Sequence, residues 1–373
     1  MIVRHRNYDL SARNTFRMKV RCALYVEVTE EADLPALDWD ALPQPLMVIG
    51  GGSNLLFTAD FPGTVLHVGA GGADFGRGGF LRVPPRPKEW ASKALETGND
   101  GRGGPSVFPP RPEEWVTVPA GVVFDDFCAW AAENGLWGPE NLSLIPGECG
   151  ASAVQNIGAY GVEAKDIIAA IRAWDRLERR FVDIDPADCA YGYRTSRFKT
   201  DWKGRYVITA VTYRLSQTPQ PKLDYGGIRK ALEGSGELSP QLIRDTISGI
   251  RRKKLPDPAE KGSAGSFFCN PVISREHFAR IVATAREDNG PDYQVPHYEV
   301  GDSIKVPAAW MIEQCGFKGA TNGGAKVYEN QPLVIVNDSG EASPEEIIGL
   351  EQRIIRTIEA KYGITLHPEV EHI

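Results

Sequence analysis

The rhythm of apolar and polar positions along the chain changes several times, and each change marks an element. In residues 47–57, MVIGGGSNLLF, two short apolar runs flank three glycines and a Ser-Asn pair, which predicts a strand, a glycine turn and a second strand. WVTVPAG at 115–121 predicts another strand. The next segment, VFDDFCAWAAENG, sets Phe124, Phe127, Cys128, Ala131 and Ala132 at helical spacing before Gly135. IIAAIRAW and YVITAVTYRL add two strand candidates, with YGYRTSRF between them. Near the end, SPEE at 343–346 supplies a serine cap, a proline in the first turn and a glutamate three residues after the cap. Ile347, Leu350, Ile354 and Ile358 then mark a helix that follows the strand-like PLVIVN and ends near Gly363. The mixture is α+β, with strand–helix alternation too irregular for a doubly wound parallel sheet.

Two stretches break the pattern. Residues 69–112 are rich in glycine, and RPKEW at 86–90 is echoed once by RPEEW at 111–115. A single echo does not make a repeat protein, so 75–112 reads as an insertion, a surface excursion or partly ordered. The second stretch, LIPGECGASAVQNIGAYGVE at 144–163, mixes Gly147, Gly150, Gly158 and Gly161 with Ser152, Gln155, Asn156 and Tyr160. Close-approach backbone with small polar groups suits a phosphate or a heterocycle; packing of an ordinary loop accounts for it as well. Neither this stretch nor GGGSN is a GxGxxG dinucleotide fingerprint.

Composition narrows the functional classes. The chain has 373 residues, enough for two or three domains, with 42% hydrophobic and 24% charged positions. Lys and Arg total 42 against 49 Asp and Glu, a net charge of −7, which argues against a nucleic-acid backbone as partner. The RRKK run at 251–254 suits either solvent or a small anion. Six cysteines and six histidines are scattered, without CxxC or HExxH, so metal chemistry has little support. The first residues lack a signal-peptide run, and no apolar stretch is long enough to span a bilayer; cytoplasm is the expected compartment.

Candidate chemistry lies in three separated polar residues. Ser266 sits in KGSAGSFFCNP at 261–271, read as a glycine-containing turn; Arg194 lies in YGYRTS and Glu369 in HPEV. An acid, a cation and a carboxylate suit reduction of an unsaturated acid better than hydrolysis, for which a GxSxG elbow is absent.

These motifs also carry a family resemblance. NTF at 14–16, IGGGSNLLF, NLSLIPG, QNIGAYGVE, YGYRTSRFK, KLPDP, GSFFCNP and HPEV together resemble the UDP-N-acetylenolpyruvoylglucosamine reductase family, in its longer, type I form. The match covers nearly the full chain apart from much of 75–112. The resemblance implies a two-domain FAD-binding scaffold, at 1–68 and 69–254, followed by a smaller α+β substrate-binding domain at 255–373 whose last residues can pack back on the FAD domains. It implies NADPH as reductant of FAD and UDP-N-acetylglucosamine enolpyruvate as substrate. Arg194, Ser266 and Glu369 match the catalytic positions. Gly50, Gly52, Ser53, Asn54, Ser152, Asn156, Gly158 and Arg251 match cofactor positions. Tyr225, Lys254, Asn270, Lys318 and Gln331 match substrate positions, and Tyr298, in PHYEV, matches the mobile-loop tyrosine. Glu371 stands where the family commonly has arginine. Two competing readings are an FAD oxidoreductase acting on an alcohol or hydroxy acid, and a noncatalytic sugar-nucleotide binder. The trio Arg194, Ser266 and Glu369 with KLPDP discriminates against the first, and redox turnover against the second.

Overall fold

Among the described residues the longest strand, Tyr206–Ser216, alternates buried with more exposed positions from Thr209 to Leu215 and forms the axis of a five-stranded sheet. The order across that sheet is Arg180–Ile184, Ile168–Asp175, Tyr206–Ser216, Glu113–Pro119 and Leu81–Arg82, all antiparallel. Register puts Ile171 opposite both Ile184 and Val211, and Val211 opposite Val118, so these four share one face and one core, while Trp174 and Val207 of the same central strands join another. Helix Phe124–Glu133 covers the Ile171 face. The Phe127 ring stacks on Tyr213 with centroids 4.4 Å apart.

The coordinates are a computed structural model, which describes residues 1–69, 81–82, 113–225 and 227–373. Most of the 75–112 insertion, including RPKEW, lies outside the described residues. Two compact units divide the chain. The first comprises Met1–His5, Leu24–Gly51 and Gly63–Ile250; the second comprises Arg6–Ala23, Gly52–Pro62 and Arg251–Ile373. A second sheet is ordered Ile2–Asp9, Arg21–Val28, Phe61–Val68 and Leu46–Ile49, and its last two strands are parallel. Within the first unit, Val26, Val28, Leu66 and Trp39 form a core with Trp174 and Val207 of the large sheet.

In the second unit, strand Gly262–Ser266 pairs with Val334–Asn337, followed by Ala325–Val327 and Thr321–Asn322. Helix Pro344–Tyr362 buries Ile347, Leu350, Ile354 and Ile358, the stripe expected from spacing. Its capping box is complete: Ser343 Oγ accepts from the Glu346 N–H at 3.3 Å, and Glu346 Oε2 accepts from the Ser343 N–H at 2.9 Å. Gly363 closes the helix in the left-handed region. Strand Glu371–His372 runs parallel to Leu55–Leu56.

Two local expectations are corrected. The 144–163 stretch is not all loop, because Cys149–Gln155 forms a short helix. The glycine that disfavours a helix there, Gly150, is required by packing: a Cβ would stand 2.7 Å from that of Ala120. Ser266 lies at the end of a strand rather than in a turn. Gly265, at φ +72°, sits in a register shift between Ser263 and Ser266 and re-aims the serine.

The cap yields a stability prediction. Ser343→Ala is expected to lower the unfolding free energy by about 1 kcal/mol, read from urea denaturation. An unchanged midpoint would mean that side-chain packing alone fixes the start of this helix.

Candidate functional site

In the first unit, the turn after Leu46–Ile49 carries Gly50 and Gly51 past the start of helix Cys149–Gln155. A Cβ on Gly51 would lie 3.3 Å from the Gly147 Cα, and one on Gly50 would lie 3.2 Å from Glu148 Oε2. Across the helix, the N–H groups of Gly150 and Cys149 donate to Ala120 and Val122 carbonyls, both at 2.9 Å. Main chain therefore packs on main chain, and a ligand approaching this face meets peptide groups instead of bulky side chains.

His67 supports this corner. It is buried, with Nε2 3.0 Å from Glu148 Oε1 and Nδ1 3.7 Å from Glu27 Oε1. Sequence reasoning missed the Glu27, His67 and Glu148 trio, because each residue sits in a different segment and no local pattern couples them. Ser152 is buried and donates to the Cys149 carbonyl at 2.6 Å, while its hydroxyl shares a hydrogen bond with Tyr213 Oη at 2.9 Å. Burial pushes the Tyr213 phenol and the Cys149 and Cys128 thiols far above their ordinary values. The floor of the site is therefore neutral, and its thiols are unreactive.

Asn156 caps the helix in the left-handed region, at φ +49°. Its amide donates to the Gly192 carbonyl at 2.8 Å and to Glu163 Oε2 at 3.1 Å, and its carbonyl oxygen accepts from the Lys165 N–H at 3.0 Å. Ser196 Oγ donates to the Val154 carbonyl at 2.6 Å, and Lys199 Nζ to Gln155 Oε1 at 2.6 Å. These bonds tie the YGYRTSRFK segment to the helix. Arg194 has positive φ, and its guanidinium donates to the Gly158 carbonyl. A Cβ at Gly158 would stand 2.7 Å from Arg194 Nη1, so glycine there sets where the cation rests. Tyr225 is 42% exposed and meets Tyr160 edge-on, with ring centroids 6.4 Å apart.

The second unit gathers a different group. Gly52 takes φ +61°, and a Cβ would lie 2.1 Å from the Arg13 carbonyl oxygen, so only glycine fits. Ser53 and Asn54 follow. Asn54 Nδ2 donates to the Glu369 carbonyl at 3.0 Å, and the Glu371 N–H donates to the Asn54 carbonyl at 3.0 Å. The Glu369 N–H donates to the Phe267 carbonyl at 2.8 Å, and the Cys269 N–H to the His367 carbonyl at 2.9 Å. Ser266, Asn54 and Glu369 are thus carried on segments bonded to one another, although far apart in sequence. Asn270 Oδ1 accepts from the Ala308 N–H at 2.9 Å and anchors the start of helix Ala308–Gln314.

The remaining second-unit candidates are more peripheral. Arg251 and Lys254 lie in the last turn of helix Pro240–Lys254, and Lys254 is exposed. Lys318 is half-exposed and pairs with Glu313 at 3.0 Å. Tyr298, 45% exposed, begins the strand Tyr298–Val300 of a small sheet with Ser303–Lys305 and Val272–Ser274. The Gln331 carbonyl accepts from the Val334 N–H at 2.9 Å in a turn before strand Val334–Asn337. Gly50, Ser152, Asn156, Gly158, Arg194 and Tyr225 therefore belong to the first unit, and the other named candidates to the second. No helix among the described residues is long and apolar enough to cross a membrane.

Comparison with known proteins agrees with this geometry. A model described as an FAD binding domain matches residues 111–178, which include strand Glu113–Pro119, helix Phe124–Glu133 and the Gly147–Gly150 side of the glycine corner. The fold and this match define an FAD-binding protein with additional β-rich structure. A second model, UDP-N-acetylenolpyruvoylglucosamine reductase, C-terminal domain, matches 257–373. Over 369 residues the chain is 40% identical to the UDP-N-acetylenolpyruvoylglucosamine reductase of Bacteroides fragilis strain YCH46, covering 98% of this chain and 99% of the relative. It is 41% identical over 372 residues to that of Porphyromonas gingivalis strain ATCC 33277, covering 98% of each. The crystal structure of UDP-N-acetylenolpyruvylglucosamine reductase from Thermus caldophilus shares the fold, with a TM-score of 0.61 at 19% identity, covering 100% of this chain and 98% of that one. The chain belongs to the UDP-N-acetylenolpyruvoylglucosamine reductase family.

The glycine corner fits FAD because a side chain there would occupy the close approach on which the peptide surface depends. Gly51→Val is expected to yield folded protein that retains less than about a tenth of the wild-type flavin, consistent with a backbone shift that loses several kcal/mol of packing and hydrogen bonding. Visible absorbance of the purified protein measures this, with thermal unfolding as the control for folding. Full flavin content in the variant would rule out this corner as a cofactor contact.

Proposed function

We propose that this chain reduces UDP-N-acetylglucosamine enolpyruvate to UDP-N-acetylmuramate through FAD, with NADPH as the electron source, in the synthesis of the cell-wall precursor. The observation that carries this reading is the 40% identity maintained along 98% of the chain. Hydride transfer between NADPH and the enolpyruvyl double bond is the chemistry FAD supplies when bound. This chain's residues bind, orient and manage charge and protons.

Cofactor contacts are assigned to Gly50, Gly52, Ser53, Asn54, Gly158 and Arg251. Ser152 and Asn156 shape the loop, since their side chains are engaged by internal partners. The domain reading accompanies this assignment: 1–68 and 69–254 serve the flavin, and 255–373 serves the nucleotide sugar, in the cytoplasm. Tyr225, Lys254, Asn270, Tyr298, Lys318 and Gln331 are the substrate set. The half-exposed Lys318–Glu313 pair contributes little stability, so Lys318 can exchange Glu313 for a diphosphate oxygen at small cost.

Hydride arriving at C3 of the enolpyruvyl group drives the π electrons toward C2 and its carboxylate. Arg194 meets that charge. Its planar guanidinium fork is already oriented by the Gly158 carbonyl, so little reorganisation accompanies the reaction. Ser266 gives its hydroxyl proton to C2, completing saturation, and recovers a proton from solvent. A serine is a weak acid, but the carbanionic centre is a strong base, and the bulge at Gly265 fixes the donor's direction. Glu369 supports the same acid group through its own proton or a shared network.

The test separates two half-reactions under anaerobic conditions. Ser266→Ala is expected to leave reduction of the flavin by NADPH unchanged and to slow reoxidation by the enolpyruvyl substrate roughly 100-fold or more. Equal loss in both halves, or in neither, would overturn the serine assignment. Wild-type protein whose reduced flavin is not reoxidised by that substrate would overturn the reaction itself.

A further inference from the structure

One buried carboxylate has no part in the reaction above. Glu351 lies on helix Pro344–Tyr362 among Leu350, Ile354 and Ile347, and is 1% exposed. A charge placed in such a face has lost its hydration and needs a paired partner. That partner is His372, whose Nε2 lies 3.2 Å from Glu351 Oε2. The imidazole also lies near Phe267, with ring centroids 6.2 Å apart.

His372 belongs to the strand that carries Glu369 into place. Along that segment the Glu369 N–H donates to Phe267, the Glu371 N–H to Asn54 and the Ile373 N–H to Leu56, at 2.8, 3.0 and 2.9 Å. Thr58 N–H and Oγ1 both donate to the Ile373 carbonyl, at 2.8 and 2.7 Å. A strand pairing of only two residues is short and makes little stability by itself. The side-chain anchor is what the main-chain bonds lack.

We propose that Glu351 and His372 are positioning residues for Glu369: their pairing pins the last strand and so fixes the backbone from which the Glu369 carboxylate projects. The inference rests on the role given to Glu369 above. From the helix, Glu351 faces the imidazole; Leu55, Leu56 and Phe267 bring no charge; along its own strand Glu369 and Glu371 precede it. The Glu351 carboxylate, as acceptor for the imidazole N–H, holds His372 above its ordinary value, against the opposing effect of burial. Because the folded value is raised, the anchor is at full strength below the unfolded value of about 6.5. It weakens as pH rises through the folded value. The strand should therefore loosen on the alkaline side.

Hydrogen–deuterium exchange of residues 367–373 in the full-length, flavin-loaded protein reads this directly, after correction for the pH dependence of chemical exchange. Wild-type exchange is expected to become several-fold faster as pH rises past the folded His372 value. His372→Phe should exchange fast at every pH and slow the enolpyruvyl half-reaction about tenfold, which corresponds to about 1.4 kcal/mol, with flavin reduction by NADPH unaffected. The pair Glu351→Leu with His372→Phe, which removes the charge together with its partner, should recover protection and show none of the pH dependence. Exchange in the wild type that does not vary with pH, or wild-type exchange and rate in His372→Phe, would overturn the proposal. Glu369→Gln run alongside distinguishes the two ideas. If it turns over at the wild-type rate, the role of Glu369 fails. If it is impaired while His372→Phe is not, the positioning role fails.

Discussion

Close approach of main chain to main chain is the constraint on which the cofactor corner depends. Gly51 lies against Gly147, where a further carbon would be tightly squeezed at 3.3 Å, and Gly150 against Ala120, where at 2.7 Å there is no space for one. That contact sets helix Cys149–Gln155 on the sheet, and the helix in turn presents Asn156 to the segment holding Arg194. A methyl group at either glycine would be felt several residues away, because packed interiors transmit displacement instead of absorbing it. The arrangement explains why this stretch is so poor in large side chains even though it lies beside a well-packed aromatic core.

Around that corner the electrostatics are quiet by construction. The thiols of Cys128 and Cys149 and the phenol of Tyr213 are held neutral by burial. Polar side chains near it are engaged: His67 lies between two carboxylates, Lys165 pairs with Glu163, Arg244 pairs with Asp125, and Arg194 donates to a peptide carbonyl. The proposed reaction, which creates negative charge on its substrate, would be served by such a background, with the Arg194 side chain held at the Gly158 carbonyl and the buried thiols chemically silent.

How much of this was legible in the sequence depended on how local the determining physics is. The Pro344–Tyr362 helix was readable in full, cap to terminating glycine, because its capping box, proline and apolar stripe all lie within twenty-odd residues and agree with one another. The Phe124–Glu133 helix and the two long strands of the large sheet were readable for the same reason. Helix Cys149–Gln155 was not, since Gly150 and the small residues beside it answer to Ala120, a neighbour supplied by folding. Ser266 looked like a turn residue because Gly265 does adopt a left-handed backbone; the sheet absorbs it as a bulge. The family's motifs pointed to Arg194, Ser266 and Glu369. Nothing in a linear reading could couple His67 to Glu148 or His372 to Glu351, since these pairs are defined by the fold alone.

The second unit is stitched from three stretches of chain, at 6–23, 52–62 and 251–373, and its short parallel strand joins residues 55–56 to 371–372. Contacts of such sequence separation carry a loop-closure penalty that local elements escape. During synthesis the early stretches can pair with one another, as Thr15 does with Gly52, but must wait for 251–373 while the intervening two hundred or so residues are made, and the first unit has all its parts before the second does. The segment bearing Glu369 is therefore among the last to find its place on the ribosome's timetable, so that a chain interrupted before it would possess every part of the first unit without the strap that finishes the other half.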